Sequence, residues 1–302
     1  MELHQLRYLV AVVDQGSFTA AAEHLHVSQS GVSAQIAKLE RELGTPLLER
    51  GPRHVRLSTA GTELLPLARE ALRSIDTITE RADELANLVR GRVRLGINVG
   101  CNNPRFLDAI AAFHNAHPGV EITFTEGATQ RLHQSMAAGE LDLALSGDLG
   151  DTPEGMRVTR IVDEQLTIIT GPDHPLAGTH VRLRDVVEQT VLCLPVGSGI
   201  RAAFDRACAL CGVSVKTHID AHSPETIIGL VARGMGVGVL PESVAATSGL
   251  TVTPIADAEA KASILLVTRA GTMTPATRLL HAILTERLIQ VLRPAPHSTC
   301  GY

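Results

Sequence analysis

Residues 17–44, SFTAAAEHLHVSQSGVSAQIAKLERELG, hold two helices joined by a tight turn. Ser17 is placed to cap the first, which runs from Thr19 to Leu25. Phe18, Ala22 and Leu25 share one side of it, and three consecutive alanines permit close packing. The break at His26-Val27-Ser28 turns the chain into a second helix, where Val32, Ile36, Leu39 and Leu43 follow a 4-3-4 spacing and form one apolar face. The opposite face carries Ser30, Ser33, Ala34, Ala37, Lys38 and Arg41, flanked by Gln29 and Gln35. Those side chains are small or hydrogen-bonding, unlike the row of charges that solvates an ordinary surface helix. Gly44 ends the helix.

On the N-terminal side, Leu3, Leu6, Val10 and Val13 predict a helix of about four turns that stops at Gly16. On the C-terminal side, Pro46–Arg50 and Val55–Leu57 flank Gly51-Pro52 and read as a small β-hairpin, the wing of a helix-turn-helix. A helix-turn-helix reads DNA with short polar groups near the start of its second helix, because amides and hydroxyls pair with base edges in the major groove. Ser28, Gln29, Ser30, Ser33 and Gln35 are the candidate base readers, and Lys38, Arg50, Arg53, His54 and Arg56 the candidate phosphate contacts. The bland alternative is a solvated helix face, and the wing and helix spacing weigh against it.

The net charge of −5 argues against a chain that coats nucleic acid through bulk positive charge, so DNA contact must be local. Even residues 1–61 carry six Lys/Arg against six Asp/Glu, short of a basic domain. Arg50, Arg53 and Arg56 nevertheless fall within seven residues that contain no acid.

From Ala60 a long helix places Leu64, Ala68, Ala71, Ile75, Ile78, Ala82, Leu85 and Val89 at alternating steps of four and three, a heptad seam suited to a two-helix interface. Beyond Gly91 strands and helices alternate, which predicts parallel α/β structure. The strands are Val93–Asn98, Val120–Glu126, Leu141–Ser146, Leu166–Thr170, Thr190–Leu194, Thr217–Ala221, Val237–Leu240 and Ser263–Thr268, and a helix from Pro275 to Leu292 returns to the first lobe. The expected domains are 1–58, a winged helix-turn-helix; 59–90, a linker and dimerisation helix; and 91–302, two α/β lobes.

At 302 residues with 44% apolar residues, the chain is long enough for two or three cores without disulfides or a structural metal. Its N-terminus lacks the apolar run of a signal peptide, and no eighteen-residue apolar stretch occurs, so a cytoplasmic location off the membrane is expected. Five irregularly spaced cysteines are expected to be reduced there.

With these residues in place the sequence resembles a LysR-type transcriptional regulator over essentially its whole length. Ser17-Phe-Thr-Ala-Ala-Ala22, Leu25, Val27-Ser-Gln-Ser30, Val32-Ser33, Gln35-Ile36, Leu39-Glu40, Leu43-Gly44, Pro46-Leu-Leu48, Arg50, Leu57-Ser58 and Ala60-Gly61 follow the family pattern in order. Leu48 departs from it, standing where the family usually has Phe. Glu126-Gly127, Thr129, Leu132, Gly139, Leu141–Ala144 and Gly234–Pro241 match more loosely but in register. The resemblance implies a two-lobed effector domain like a periplasmic binding protein. It also implies homodimers, paired as homotetramers, on pseudo-palindromic double-stranded promoter DNA, switched by a small molecule and using no cofactor or metal.

A small polar effector is expected between the lobes, where loops leave the C-terminal ends of strands. Gly100, Cys101, Asn102, Thr129, Ser146, Ser198, Gly199, Ile200 and His222 are nominated. At Gly100 the family often has Ser or Thr, and for His222 a loop histidine satisfied by backbone is an equal reading. Gly234-Met-Gly-Val-Gly is not a dinucleotide loop, since the helix precedes the glycines and the strand follows them. Cys208 and Cys211 form a CxxC inside a helix, but no second ligand pair completes a zinc site. The peroxide sensors among LysR-type proteins use two cysteines nine residues apart; the register puts Cys208 at the second position and Gly199 at the first. An α/β enzyme or binding protein lacks support, with no nucleophile elbow, phosphate loop or acid/base pair. A structural nucleoid protein would need bulk positive charge.

Overall fold

The computed structural model describes residues 1–50, 55–85, 89–99, 103–178 and 180–289. Two compact units divide the chain, one of them Met1–Gly91 with Ala137–Glu140, the other the remainder.

The first unit comprises α1 (Leu3–Gln15), α2 (Phe18–His24), α3 (Gln29–Leu43), β1 (Leu48–Arg50), β2 (Val55–Leu57) and α4 (Thr59–Leu85). Ser17 caps α2 by accepting from the Ala20 N–H at 3.0 Å, and Ser28 caps α3 by accepting from Gly31 at 3.1 Å, each satisfying a donor the helix leaves open. Gly16 and Gly44 end α1 and α3 in the left-handed conformation. Leu9, Val12, Ala21, Val32, Ile36, Leu39, Leu47 and Leu65 close a single core. The hairpin β1–β2 pairs Leu48 with Leu57 and Glu49 with Arg56, as the wing reading requires.

The α4 stripe is divided. Leu64, Ala68 and Ala71 are packed into the helix-turn-helix core, so they are not free for a second helix, whereas Ile75 is half-buried and Ile78 is 66% exposed. A heptad pattern specifies an apolar stripe without specifying what covers it, and here the chain's own domain covers the first half. Val89 falls beyond α4, ahead of β3 (Gly91–Asn98).

In the second unit β3 is followed by α5 (Pro104–Ala116), β4 (Val120–Gly127), α6 (Thr129–Ala137), β5 (Leu143–Gly147), β6 (Met156–Thr170), α7 (Leu183–Val186), β7 (Val191–Cys193), α8 (Gly199–Leu210), β8 (Thr217–Asp220), α9 (Pro224–Val231), β9 (Val237–Pro241), α10 (Glu242–Ala245), β10 (Thr251–Pro254), β11 (Lys261–Arg269) and α11 (Pro275–Ile289). The sheet order is β4-β3-β5-β11-β6-β9-β7-β8, with β10 on the far part of β6. β3 and β5 are parallel, as are β7 with β8 and β9, giving each lobe its α/β half.

Between these halves lie antiparallel pairings that the alternation of strands and helices does not predict. β11 is antiparallel to β5 and β6, and β6 is antiparallel to β9 and β10. β6 is fifteen residues long: its first part pairs with β11, and its last part, Leu166–Thr170, enters the second lobe's sheet. The polar first part, MRVTRIVDEQ, alternates with no run of apolar residues, so only the buried end is conspicuous in sequence. β11 brings the chain back, with a register shift between Ile264 and Leu265.

Candidate functional site

At the first site, α3 presents its polar groups at its N-terminal turn. Ser28, Gln29 and Ser30 are exposed and Ser33 is half-exposed. Ser30 Oγ donates to Ser28 Oγ at 3.4 Å, so the capping serine also orders its neighbour. Gln35 is half-buried beside α1, where its Oε1 accepts from Gln5 Nε2 at 3.1 Å. Lys38 is exposed one turn further on, 4.0 Å from Glu42. In the wing, Arg56 is exposed on β2; Arg53 and His54 lie outside the described residues, as does the Arg50 side chain.

The wing is tied to the recognition helix by a group that sequence reading did not single out. Glu40 Oε1 accepts from the main-chain N–H of Leu47 at 2.8 Å and Leu48 at 3.1 Å. Charge-assisted bonds of this kind are the stronger class, and they fix where the wing departs. Gly61 sits against this point: a Cβ there would lie 2.0 Å from the Leu47 carbonyl oxygen, so only glycine lets α4 begin so close.

The second site is the junction of the two lobes. From the first lobe, Gly147 at the end of β5 meets Gly199 at the start of α8 in the second; a Cβ on Gly199 would stand 2.6 Å from Gly147 Cα. Nearby, the Gln130 N–H donates to Gly197 O at 2.9 Å, a main-chain bond between the lobes. Thr129 is fully buried: its hydroxyl donates to Asn98 Oδ1 at 3.3 Å and accepts from Gly147 N–H at 3.1 Å. Ser146, also buried, is 3.0 Å from His133 Nε2. Thr129 and Ser146 therefore brace the junction from beneath. Ser198 caps α8 by accepting from Arg201 N–H at 3.2 Å, which leaves its hydroxyl proton available. Ile200 packs into the second lobe's core and His222 is exposed. Gly100, Cys101 and Asn102 lie outside the described residues.

His133 was not a sequence candidate. Burial pushes its pKa below the ordinary histidine value, opposed by the negative charge of Asp148. Asp148 itself accepts from Arg160 at 3.1 Å and anchors the junction through its N–H to Ser263 O.

Comparison with known proteins finds the bacterial regulatory helix-turn-helix protein, lysR family, over residues 3–62 and the LysR substrate binding domain over residues 86–289. The chain belongs to the LysR family. It is a DNA-binding transcriptional regulator with a C-terminal effector-binding domain. This LysR regulator is 32% identical over 277 residues to a hydrogen peroxide-inducible genes activator of Dickeya chrysanthemi, covering 90% of each protein. Similarity to the transcriptional dual regulator GltC of Bacillus subtilis is 32% over 244 residues, covering 80% of this chain and 81% of that one. Among solved structures, a full-length OxyR variant from Pseudomonas aeruginosa superposes with a TM-score of 0.74 at 26% identity, covering 96% of this chain and 98% of the other.

In the LysR regulator two of the described thiols, Cys193 and Cys208, are buried and weakly acidic. Burial pushes Cys193 up to about 12 and Cys208 up to about 11, and Cys211 is exposed with its Sγ donating to Asp257 O at 3.4 Å. The glycine run takes the predicted form, with Gly234 and Gly236 at positive φ between α9 and β9 and the Thr190 carbonyl oxygen where a Gly236 Cβ would go. Among the described residues no helix is long and apolar enough to cross a membrane.

Proposed function

We propose that this regulator reads promoter DNA through Ser28, Gln29, Ser30, Ser33 and Gln35, and grips phosphates through Lys38, Arg50, Arg53, His54 and Arg56. The observation that supports it is the start of α3, where the capping Ser28 and its neighbours Gln29 and Ser30 are exposed and Ser33 is half-exposed, followed by the β1–β2 hairpin. The domains are 1–58, 59–90 and 91–302, with homodimers forming through the exposed second half of α4 and pairing into tetramers. The protein works in the cytoplasm by binding alone and performs no catalysis.

The effector is a small polar metabolite held between the lobes, contacted by Ser198 and His222 from one side and by Gly100 to Asn102 from the other. Its differential affinity for open and closed lobes is what switches the protein. Thr129, Ser146, Gly199 and Ile200 shape the floor of that crevice. Thiol-based peroxide sensing, suggested by the name of the Dickeya relative, is disfavoured. Gly199 has main chain where a side chain would go, and a thiol with a pKa near 11 is ionised on the order of one part in ten thousand at neutral pH.

A salt titration on cognate and scrambled duplexes tests the division of labour. Ser33→Ala should lose preference for the cognate site, whereas Arg56→Ala should weaken both duplexes alike and lower the salt slope by about one. Identical behaviour of the two variants would sink the assignment.

A further inference from the structure

The position of Gln35 is set from outside its own helix. At the start of α1, the Glu2 main-chain N–H donates to Gln5 Oε1 at 2.9 Å, and the Gln5 N–H donates back to Glu2 O at 3.0 Å. A main-chain N–H can only donate, so the oxygen of the Gln5 amide is the end facing Glu2. Its NH2 group is then the end left over, and it donates to Gln35 Oε1 at 3.1 Å. Gln5 is completely buried, so this orientation has no water to exchange with. The polarity passes on: Gln35 has its oxygen engaged inside the domain, and its NH2 makes no hydrogen bond among the described residues.

The choice of glutamine at residue 5 is itself informative. A side chain that caps the first turn in this way is served by Glu as well as by Gln, and a carboxylate suits the positive end of a helix better. What Gln adds is a donor, and the donor is spent on Gln35.

We propose that Gln5 is a positioning residue for DNA recognition, holding Gln35 oxygen-inward so that Gln35 meets DNA as a donor only. It then recognises an acceptor: guanine O6, thymine O4, the N7 of either purine, or a phosphate oxygen. The bidentate pairing of an amide with adenine, which needs both oxygen and NH2, is closed to it. This rests on the reading of Gln35 as a DNA contact.

The test uses the full-length protein, a random-sequence duplex library to select sites, and a panel carrying all four base pairs at each selected position. Gln5→Glu keeps an acceptor for Glu2 but offers Gln35 no donor, so Gln35 must turn over and present its oxygen. If the partner is guanine O6 or thymine O4, preference at one position should move from that base to cytosine or adenine by about tenfold, and if it is a purine N7 the purine preference should give way in the same manner. If the partner is a phosphate, all sequences should weaken by a similar factor with the base profile unchanged. Gln5→Met removes both polar ends and should relax the preference or the affinity without inverting it; it decides the matter if thermal melting shows that Gln5→Glu does not fold. Gln35→Ala should abolish the same preference or affinity. If Gln35→Ala weakens binding while both Gln5 variants behave as wild type, the positioning role is wrong and the contact stands. If Gln35→Ala changes nothing, the contact itself is wrong and the proposal falls with it.

Discussion

Replacing Gly199 by alanine puts one methyl group into a close main-chain contact between the lobes. Its Cβ would lie 2.6 Å from Gly147 Cα, 2.9 Å from the Asp148 N and 3.0 Å from the Gly147 carbonyl carbon. All three atoms are main chain, so no side-chain rotation relieves the clash. The nearest must retreat by about 0.8 Å to reach ordinary contact at 3.4 Å. Overpacking of this kind costs about 1–3 kcal/mol. For a unit of this size 1 kcal/mol shifts the melting temperature by about 2–4 °C, so Gly199→Ala should lower it by roughly 2–12 °C. Calorimetry of the full-length protein measures this directly. The reciprocal Gly147→Ala meets Gly199 Cα at 2.7 Å and should cost a similar amount, while the double variant should cost less than the sum because one separation relieves both. Gly229→Ala, inside α9 with only the end of Arg233 3.7 Å away, should instead stabilise by about 0.5–1 kcal/mol. A Gly199→Ala protein that melts at the wild-type temperature would refute the reasoning, for it would mean that the lobes do not meet at these residues.

Burial makes folded His133 a weaker base than unfolded His133, so the unfolded chain binds more protons below the ordinary value of about 6.5. Stability should therefore fall as pH drops through that value, and His133→Gln should flatten part of the acid limb in pH-dependent melts; His281, shifted the same way by burial, adds to that limb. An unchanged limb would mean that His133 is not buried neutral. Ile75→Glu in the second half of α4 should convert dimers to monomers in sedimentation experiments, a buried carboxylate costing several kcal/mol; an unaltered sedimentation coefficient would place the interface elsewhere. Cys208→Ser with Cys211→Ser should leave regulation intact in cells at a stability cost of about 1–3 kcal/mol, and loss of a peroxide response would overturn the non-redox reading.

The helix-turn-helix was legible because its determinants are local: the 4-3 spacing of Val32, Ile36 and Leu39, a serine cap and a terminal glycine all belong to one helix and its two ends. The middle of the sheet was not. Pairing of β6 with β11 joins residues about a hundred positions apart, and alternation of polar and apolar residues says which face a strand buries but not which neighbour it takes. The crevice was half legible. Loops after strands pointed to Thr129, Ser146 and Ser198, yet their roles as struts and cap depend on partners such as Asn98 and His133. Gln5 gave no signal, since a glutamine beside the first apolar positions of a helix reads as surface until its burial is known.

The second lobe is an insertion. The chain leaves the first lobe along β6 and re-enters along β11, two hydrogen-bonded antiparallel neighbours, so the inserted segment begins and ends one strand spacing apart, about 4.8 Å. A segment with adjacent ends can be exchanged for another of different length without moving the frame that receives it. Recombination within the second lobe can therefore exchange the Ser198 and His222 side of the proposed effector site, while the strands that enter and leave it, and the DNA-reading head, stay as they are. Chimaeras cut within the β6–β11 pair are the natural way to transplant a new sensor onto this regulator.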